Sequence, residues 1–546
     1  MADDGRTEQL VAVEEGTVSS QSGVVHRVRG FFGFGASSGS QDGRRRLFSR
    51  LVLLCAVLIT VCALVFLGVV VSRSLGSPRN SPVDGEKPVP QPPFPDNPDD
   101  QKKPDKPETD TGDEEKPEDE TGEGGTGGGK DQGEGGDDQK KPVTPTGAGN
   151  IRHGISWNPL LKDDSGPEKL RWDDVGTVGG AAWWASPPDG RADLDTARRL
   201  GAGSIRVYGL APMDDHRPFL ETVVNSGLSL FAGSSDFPLM QQPGSCLEKP
   251  EGCFGIMKGY FSGLLSDQTG FIADGKWHRA VSLYALVNEP DLKFKGGWAR
   301  MAKLVVTVLD ALLVVEKERG VTEGPKLTVP MSVATTAAYD PESLCHKQGK
   351  VSLEAAGVAQ MCDLASVISD PSLVGYSPVS GEEAFRTVLE ERMEFSFNAF
   401  FPPPTAASLV VEPYKQIDLL KDRPLHLTEW QNTGDVAGLP KALSALLDLL
   451  EPFQGRVFFF EFETAYWKGG SEMGFGMFSN GDQVVAQCRW PNCFGEQPVY
   501  CKRTVNFNDQ PVGQAVAKAF GGEAPSASWP GFCPAEEGEQ QTAVIA

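Results

Sequence analysis

Histidine is scarce, six in 546 residues, and His153, His216, His278, His346 and His426 share no metal-ligand spacing. Cys-x-x-Cys is missing altogether, which argues against a structural zinc site. No Gly-x-Ser-x-Gly elbow stands at a strand-to-turn junction, so a Ser/His/Asp esterase is disfavoured. No Gly-rich phosphate fingerprint follows the first strand-like run of the large C-terminal part, which counts against dinucleotide binding. The chain also lacks an Asn-x-Ser/Thr acceptor. Basic residues are in deficit, 51 Lys and Arg against 74 Asp and Glu for a net charge of −23. No nucleic-acid partner, cofactor or metal is expected.

What is present divides the chain by composition. Residues 51–71, LVLLCAVLITVCALVFLGVVV, are uncharged and long enough at helical rise to span a bilayer. Arg44, Arg45, Arg46 and Arg50 precede this run and only Arg73 and Arg79 soon follow it. The positive-inside bias therefore predicts a type II signal anchor, with a cytosolic tail at 1–50 and the rest lumenal or extracellular. Residues 72–148 read as a stalk: from 76 to 148 there are 19 acidic and 9 basic side chains and almost nothing apolar. Of ten cysteines, Cys55 and Cys62 lie in the apolar run. The other eight lie past the stalk, an even number that suits four disulfides in an oxidising compartment. Proximity suggests Cys246 with Cys253 and Cys345 with Cys362, leaving Cys488, Cys493, Cys501 and Cys533 to pair among themselves.

From about residue 149 to 486, β-rich runs alternate with amphipathic helical stretches. Strands are predicted near 153–157, 204–208, 228–233, 281–288, 326–333, 394–400, 425–429 and 456–461. Helices are predicted over 193–200, 215–225, 298–319, 353–366, 382–394 and 439–450. Eight strands with intervening helices favour an α/β (β/α)8 barrel with insertions over an open doubly wound sheet. Residues 487–546 show little periodicity and many turn formers, and read as a disulfide-pinned extension; a small carbohydrate-binding module is the alternative.

In such barrels chemistry gathers at the carboxyl ends of the strands. Two apolar runs end in carboxylates there: Ser282–Val287 leads into Asn288-Glu289-Pro290, and Pro424–Thr428 leads into Glu429-Trp430. They lie three strands apart in the predicted order, on strands four and seven. A pair of carboxyls facing one mouth can perform retaining cleavage of a glycosidic bond, one as acid/base and the other as nucleophile. Glu289 suits the first role and Glu429 the second, with Asn288 for the sugar 2-hydroxyl and Arg206 to keep Glu429 ionised. Trp157, Tyr208, Asn398, Phe400, Trp430 and Trp467 are candidate subsite residues, and Glu461, Glu463 and Glu472 are candidates for sugar hydroxyls.

The segments GISWNP, IRVYG, LVNEPD, FNAFFP, LTEW and FFFEFETAYWKGGSEMGFGMFSNG together resemble the clan of retaining (β/α)8 glycoside hydrolases with acids on strands four and seven. Within it the chain most resembles glycoside hydrolase family 17, the β-1,3-glucanases and glucan transglycosylases, over roughly residues 150–480. The resemblance implies an enzyme acting on a β-glucan polysaccharide or oligosaccharide, most often β-1,3-linked, with Glu289 as acid/base and Glu429 as nucleophile. Asn-Glu-Pro replaces the family's usual Gly-Asn-Glu, and Thr428-Glu429-Trp430 lacks its later Gly, so the linkage stays open. The alternatives are a glucan transglycosylase, a cellulase- or mannanase-like specificity, and a non-catalytic glucan-binding or wall protein on the same fold.

Overall fold

A computed structural model of the chain describes residues 150–158, 161, 176–294, 296–333, 343–351, 356–466 and 474–534. The expected tail, spanning helix and stalk lie outside these residues. No helix among the described residues is long and apolar enough to cross a membrane.

Eight parallel strands form the centre: β1 (Asn150–Ser156), β2 (Ala202–Arg206), β3 (Ser229–Gly233), β4 (Val281–Ala285), β5 in two halves (Lys326–Thr328 and Pro330–Ser332), β6 (Phe395–Asn398), β7 (Leu425–Trp430) and β8 (Val457–Phe459). Their hydrogen-bonded order is β5, β4, β3, β2, β1, β8, β7, β6 and back to β5. Closure turns on the break in β5. Its first half pairs with β4 through Tyr284 and Leu327, and its second half with β6 through Met331 and Phe397. Pro330, which has no N–H to give to a ladder, starts the second half. The result is a closed (β/α)8 barrel, which excludes the open doubly wound alternative.

The helical shell follows from apolar spacing. In α7 (Leu439–Leu450), Leu443, Leu446, Leu447 and Leu450 recur at three and four residues and are all buried, the stripe of a helix lying on a sheet. The other expected helices are present as α1 (Asp193–Arg199), α2 (Arg217–Asn225), α4 (Trp298–Glu318), α5 (Ala356–Ser369) and α6 (Glu382–Glu391). A further helix, α3 (Cys253–Leu264), was not expected.

Inside the barrel Phe231, Leu283, Ala285 and Phe458 make a small separate apolar cluster. Gly154 on β1 makes room for it, because a Cβ there would lie 2.3 Å from the Phe458 ring. This plug is the floor on which the polar residues of the mouth stand.

The region after residue 486 departs from expectation. β9 (Phe478–Cys488) and β10 (Gln497–Thr504) form an antiparallel hairpin. Beyond it α8 (Val512–Phe520) buries Val512, Val516 and Phe520, and Phe520 stacks on His153 of β1 at 4.7 Å. α8 packs against α7 and so supplies the eighth helix of the barrel. Residues beyond the expected boundary at 486 thus pack directly on the barrel. The eight cysteines pair as 246–253, 345–362, 488–493 and 501–533.

Candidate active site

Arg206 ends β2 and is 1% exposed, with its guanidinium over the rings of Tyr208 (4.4 Å) and Phe231 (4.9 Å). A cation so deeply buried requires acceptors on every side. Its Nη1 donates to the Thr428 carbonyl (2.8 Å) and to Asn398 Oδ1 (3.3 Å), and lies 3.0 Å from Glu429 Oε1. Its Nη2 donates to Asn288 Oδ1 at 2.8 Å. Residues from strands two, four, six and seven thus converge on one side chain.

A slip in register brings Glu429 to that meeting. β7 pairs one-to-one with β6 through Leu427 and Phe397, then shifts so that Glu429 stands opposite Asn398. Strict alternation gives the inner face to His426 and Thr428 and would send Glu429 outward. The extra residue of the bulge re-aims it, so Thr428 and Glu429 both reach the mouth.

Glu289 is placed by a different device. Its backbone is left-handed (φ 50°, ψ 51°), a conformation that costs a non-glycine residue roughly 1–2 kcal/mol. Its N–H donates to the Pro330 carbonyl at 2.8 Å, and Pro290 begins the short helical turn after it. Local strain held by surrounding structure is typical of functional positions. Lys293 on that turn pairs with Asp236 beyond β3 at 2.6 Å, tying two rim loops together.

Asn398 joins the two acids. Its Nδ2 donates to Glu289 Oε1 (3.1 Å) and to Asn288 Oδ1 (3.3 Å). Its Oδ1 accepts from Thr428 Oγ1 (2.7 Å) and from Arg206. Glu289 and Glu429 are therefore connected through only an amide and a guanidinium. Arg206 gives Glu429 a buried countercharge at 3.0 Å. Burial, reinforced by the charges of Glu429 and Glu461 and only partly offset by Arg206, pushes the Tyr208 hydroxyl well above its ordinary range, so it stays protonated.

Asp291, two residues past Glu289, drew no attention in the sequence. Its Oδ1 accepts from the Ser332 N–H at 2.9 Å, while Oδ2 is buried without a hydrogen-bond partner. Burial, with a smaller contribution from the charge of Glu289, raises its pKa to about 7. The unfolded carboxyl titrates near ~4. Between those values the folded state binds more protons, so this group's contribution to stability falls as pH rises from about 4 to about 7. Asp291→Asn mimics the protonated form. It is expected to match the parent protein in thermal midpoint at about pH 4 or below and to exceed it increasingly up to pH 8; parallel pH profiles for the two proteins would refute this.

Other expected site residues divide. Phe400 is 43% exposed at the rim and forms an aromatic ledge with Phe460 (6.2 Å) and Phe475 (5.5 Å), neither of which was among the expected subsite residues. Glu461 is 2% exposed and lies close enough for its charge to act on Tyr208. Trp157 and Trp430 are each 1% exposed, which corrects the expectation of open sugar platforms. The Trp157 indole donates to Asp193 (3.2 Å) and stacks on Phe219, and the Trp430 indole donates to the Phe401 carbonyl (2.8 Å). Trp467 and Glu472 lie outside the described residues.

Glu463 is also corrected. It belongs to a buried charge cluster beneath the rim rather than to an open surface. Arg191 meets Asp193 at 2.8 Å and Glu463 at 2.6 Å, and Lys502 meets Asp193 at 3.0 Å, all four side chains being 0–1% exposed. Burial lowers Lys502 to about 8 despite Asp193. Burial would raise Asp193, but Arg191 and Lys502 outweigh it and hold its carboxyl below the ordinary value. The cluster fastens the end of strand eight to the segment before α1 and to β10.

No protein-family profile matches this chain, and no curated protein matches it. Solved structures similar to it include a family 1 β-glucosidase from Thermotoga maritima, 10% identical over 63% of this chain and 95% of that chain, with a TM-score of 0.36. The Thermotoga maritima β-glucosidase in complex with deoxynojirimycin is also 10% identical, over 61% and 93% of the two chains, with a TM-score of 0.38. In complex with galacto-hydroximolactam the figures are 11%, 63%, 95% and 0.38. The closed barrel stands on its own strand order, independent of these likenesses.

Proposed function

We propose that this protein is a retaining glycoside hydrolase acting on β-linked glucan, with β-1,3-glucan as the leading substrate. The observation that supports it most is the shared network at the mouth, Glu429 on Arg206 and Glu289 on Asn398, with Asn398 bonded to Arg206. Retaining cleavage needs one carboxylate free to attack and one carboxyl able to give and take a proton. Glu429 Oε attacks the anomeric carbon while Glu289 protonates the departing glycosidic oxygen. A glycosyl ester on Glu429 results, and the shorter glucan leaves. Glu289, now ionised, takes a proton from water, which attacks the same carbon and frees Glu429. Two inversions give net retention. Arg206 and Asn398 already occupy Asn288 Oδ1, so the amide NH2 of Asn288 is left to donate to the substrate 2-hydroxyl. A sugar hydroxyl taking the place of that water would give transglycosylation through the same intermediate.

Residues 51–71 are proposed to anchor the enzyme in a membrane as a type II protein, with residues 72–148 as the tether of a lumenal or extracellular head. At that length a Pro/Gly-rich stalk gives the head considerable reach toward polymer.

The deciding experiment incubates the protein with β-1,3-, β-1,4- and β-1,6-glucans and mannan and follows the first products by NMR. Release of β-anomers from β-1,3-glucan ahead of mutarotation is expected. Release of α-anomers, or no cleavage of any of these polymers, would overturn the reading.

A further inference from the structure

Away from the catalytic carboxylates, the loop between β9 and β10 carries Trp490 at 64% exposure and Phe494 at 50%. Large apolar side chains placed together in water mark binding surfaces more often than chance. Their ring centroids lie 5.9 Å apart with planes inclined at 49°, an open pair rather than a stacked one.

The loop is built to hold that pair still. The Cys488–Cys493 disulfide closes its base, and the Cys493 N–H donates to the Arg489 carbonyl at 3.1 Å. Asn492, 2% exposed, hydrogen-bonds Thr177 Oγ1. Gly179 lies so close that a Cβ there would stand 2.3 Å from the Arg489 carbonyl. A surface ordered in advance loses little entropy when a ligand arrives.

Position decides the occupant. β9 grows from the return after β8, and Thr177 and Gly179 belong to the return after β1, so the loop rides on the face where the strands present their carboxyl ends. Exposed polar groups flank the rings: Arg489 and Glu496 pair at 3.1 Å, and Gln497 donates to the Phe494 carbonyl. Ring faces beside hydrogen-bonding groups suit a hydroxylated sugar, whose axial C–H face packs on an aromatic while its equatorial hydroxyls reach outward. The aromatic area offered is roughly 200–300 Å², well short of the ~800 Å² per partner that a stable protein interface needs.

We propose that Trp490 and Phe494 form a second binding site for a β-glucan strand, which holds polymer while another stretch of it occupies the cleft. This rests on the glycoside hydrolase reading for the identity of the polymer. Two linked contacts raise the effective concentration of the second, so the gain appears on polymer and not on short oligosaccharides.

The test uses the full chain with Glu429→Gln to prevent digestion, and measures its retention on insoluble linear β-1,3-glucan with and without Trp490→Ala/Phe494→Ala. At least a tenfold loss of retention is expected. In the active background the same double substitution should raise KM on soluble β-1,3-glucan polymer about tenfold, leaving kcat/KM on a tetrasaccharide unchanged. Undiminished retention would overturn the site while leaving the hydrolase reading intact. Retention that depends on the two rings in a protein that cleaves nothing would keep the site and sink the hydrolase reading.

Discussion

Replacing Glu429 by Gln should leave a folded protein whose kcat on laminarin-type oligosaccharides is lower by on the order of 10⁴–10⁶-fold, the scale seen when a covalent nucleophile is removed. The amide cannot attack the anomeric carbon, yet its shape preserves most of the packing around Arg206. Glu289→Gln should cost less, about 10²–10⁴-fold, because it withdraws proton transfer and spares the nucleophile. The two defects differ in kind. An aryl glycoside whose leaving group departs without protonation should recover much of the first step in the Glu289 variant and none of it in the Glu429 variant. Steady-state rates on both substrates, with thermal midpoints confirming the fold, check this. Normal turnover in either variant would remove that residue from the chemistry, and recovery of the Glu429 variant in place of the Glu289 variant would reverse the assigned roles.

The second large effect concerns stability. Arg191 bridges Asp193 and Glu463 at a site closed to water, with Asn480 Oδ1 and the Tyr500 carbonyl as further acceptors. Arg191→Met would leave two buried carboxylates facing Lys502 alone. Breaking a buried ionic group by removing one partner typically costs about 3–5 kcal/mol. A fall of that size in unfolding free energy is expected, with a thermal midpoint lower by several degrees. Because Glu463 lies two residues beyond Glu461, activity should drop well below the unfolding temperature. A variant as stable and active as the parent would show that the cluster holds nothing. The broader substitution Arg191→Met/Asp193→Leu/Glu463→Leu/Lys502→Met removes all four charges. It should recover part of the loss, since uncharged side chains of similar volume can replace buried ions without penalty.

The barrel was legible because its signals are local. Runs such as Ser282–Val287 and Pro424–Thr428 are apolar, short and bounded by turn residues, and α7 carries its leucines at helical spacing. α3 was hidden by composition: Gly255, Gly259 and Gly263 break up a helical stretch in which the first two glycines have open space around them. α8 was hidden by brevity and by the turn formers around it, although Val512, Val516 and Phe520 sit four residues apart. At the site, strand ends located Glu289, Glu429, Asn288, Arg206 and Asn398 on the mouth. The register slip that turns Glu429 inward leaves no mark in the sequence, since it depends on pairing with β6. Nor does sequence reveal which way an indole turns. Trp157 directly follows β1, yet its indole N–H is claimed by Asp193, 36 residues on. Asp291 escaped notice because Asn-Glu-Pro-Asp reads as a turn, and only the Ser332 amide from β5 shows where that carboxyl is held.

The late arrival of α8 has a bearing on biosynthesis. Its stretch of chain follows strand eight by some fifty residues, yet it covers the seam where the last strand meets the first. While the polypeptide is still emerging in order from the ribosome, the flank of β1 around His153 must wait uncovered until α8 has been translated. During that interval the nascent protein carries an uncovered apolar seam along β1.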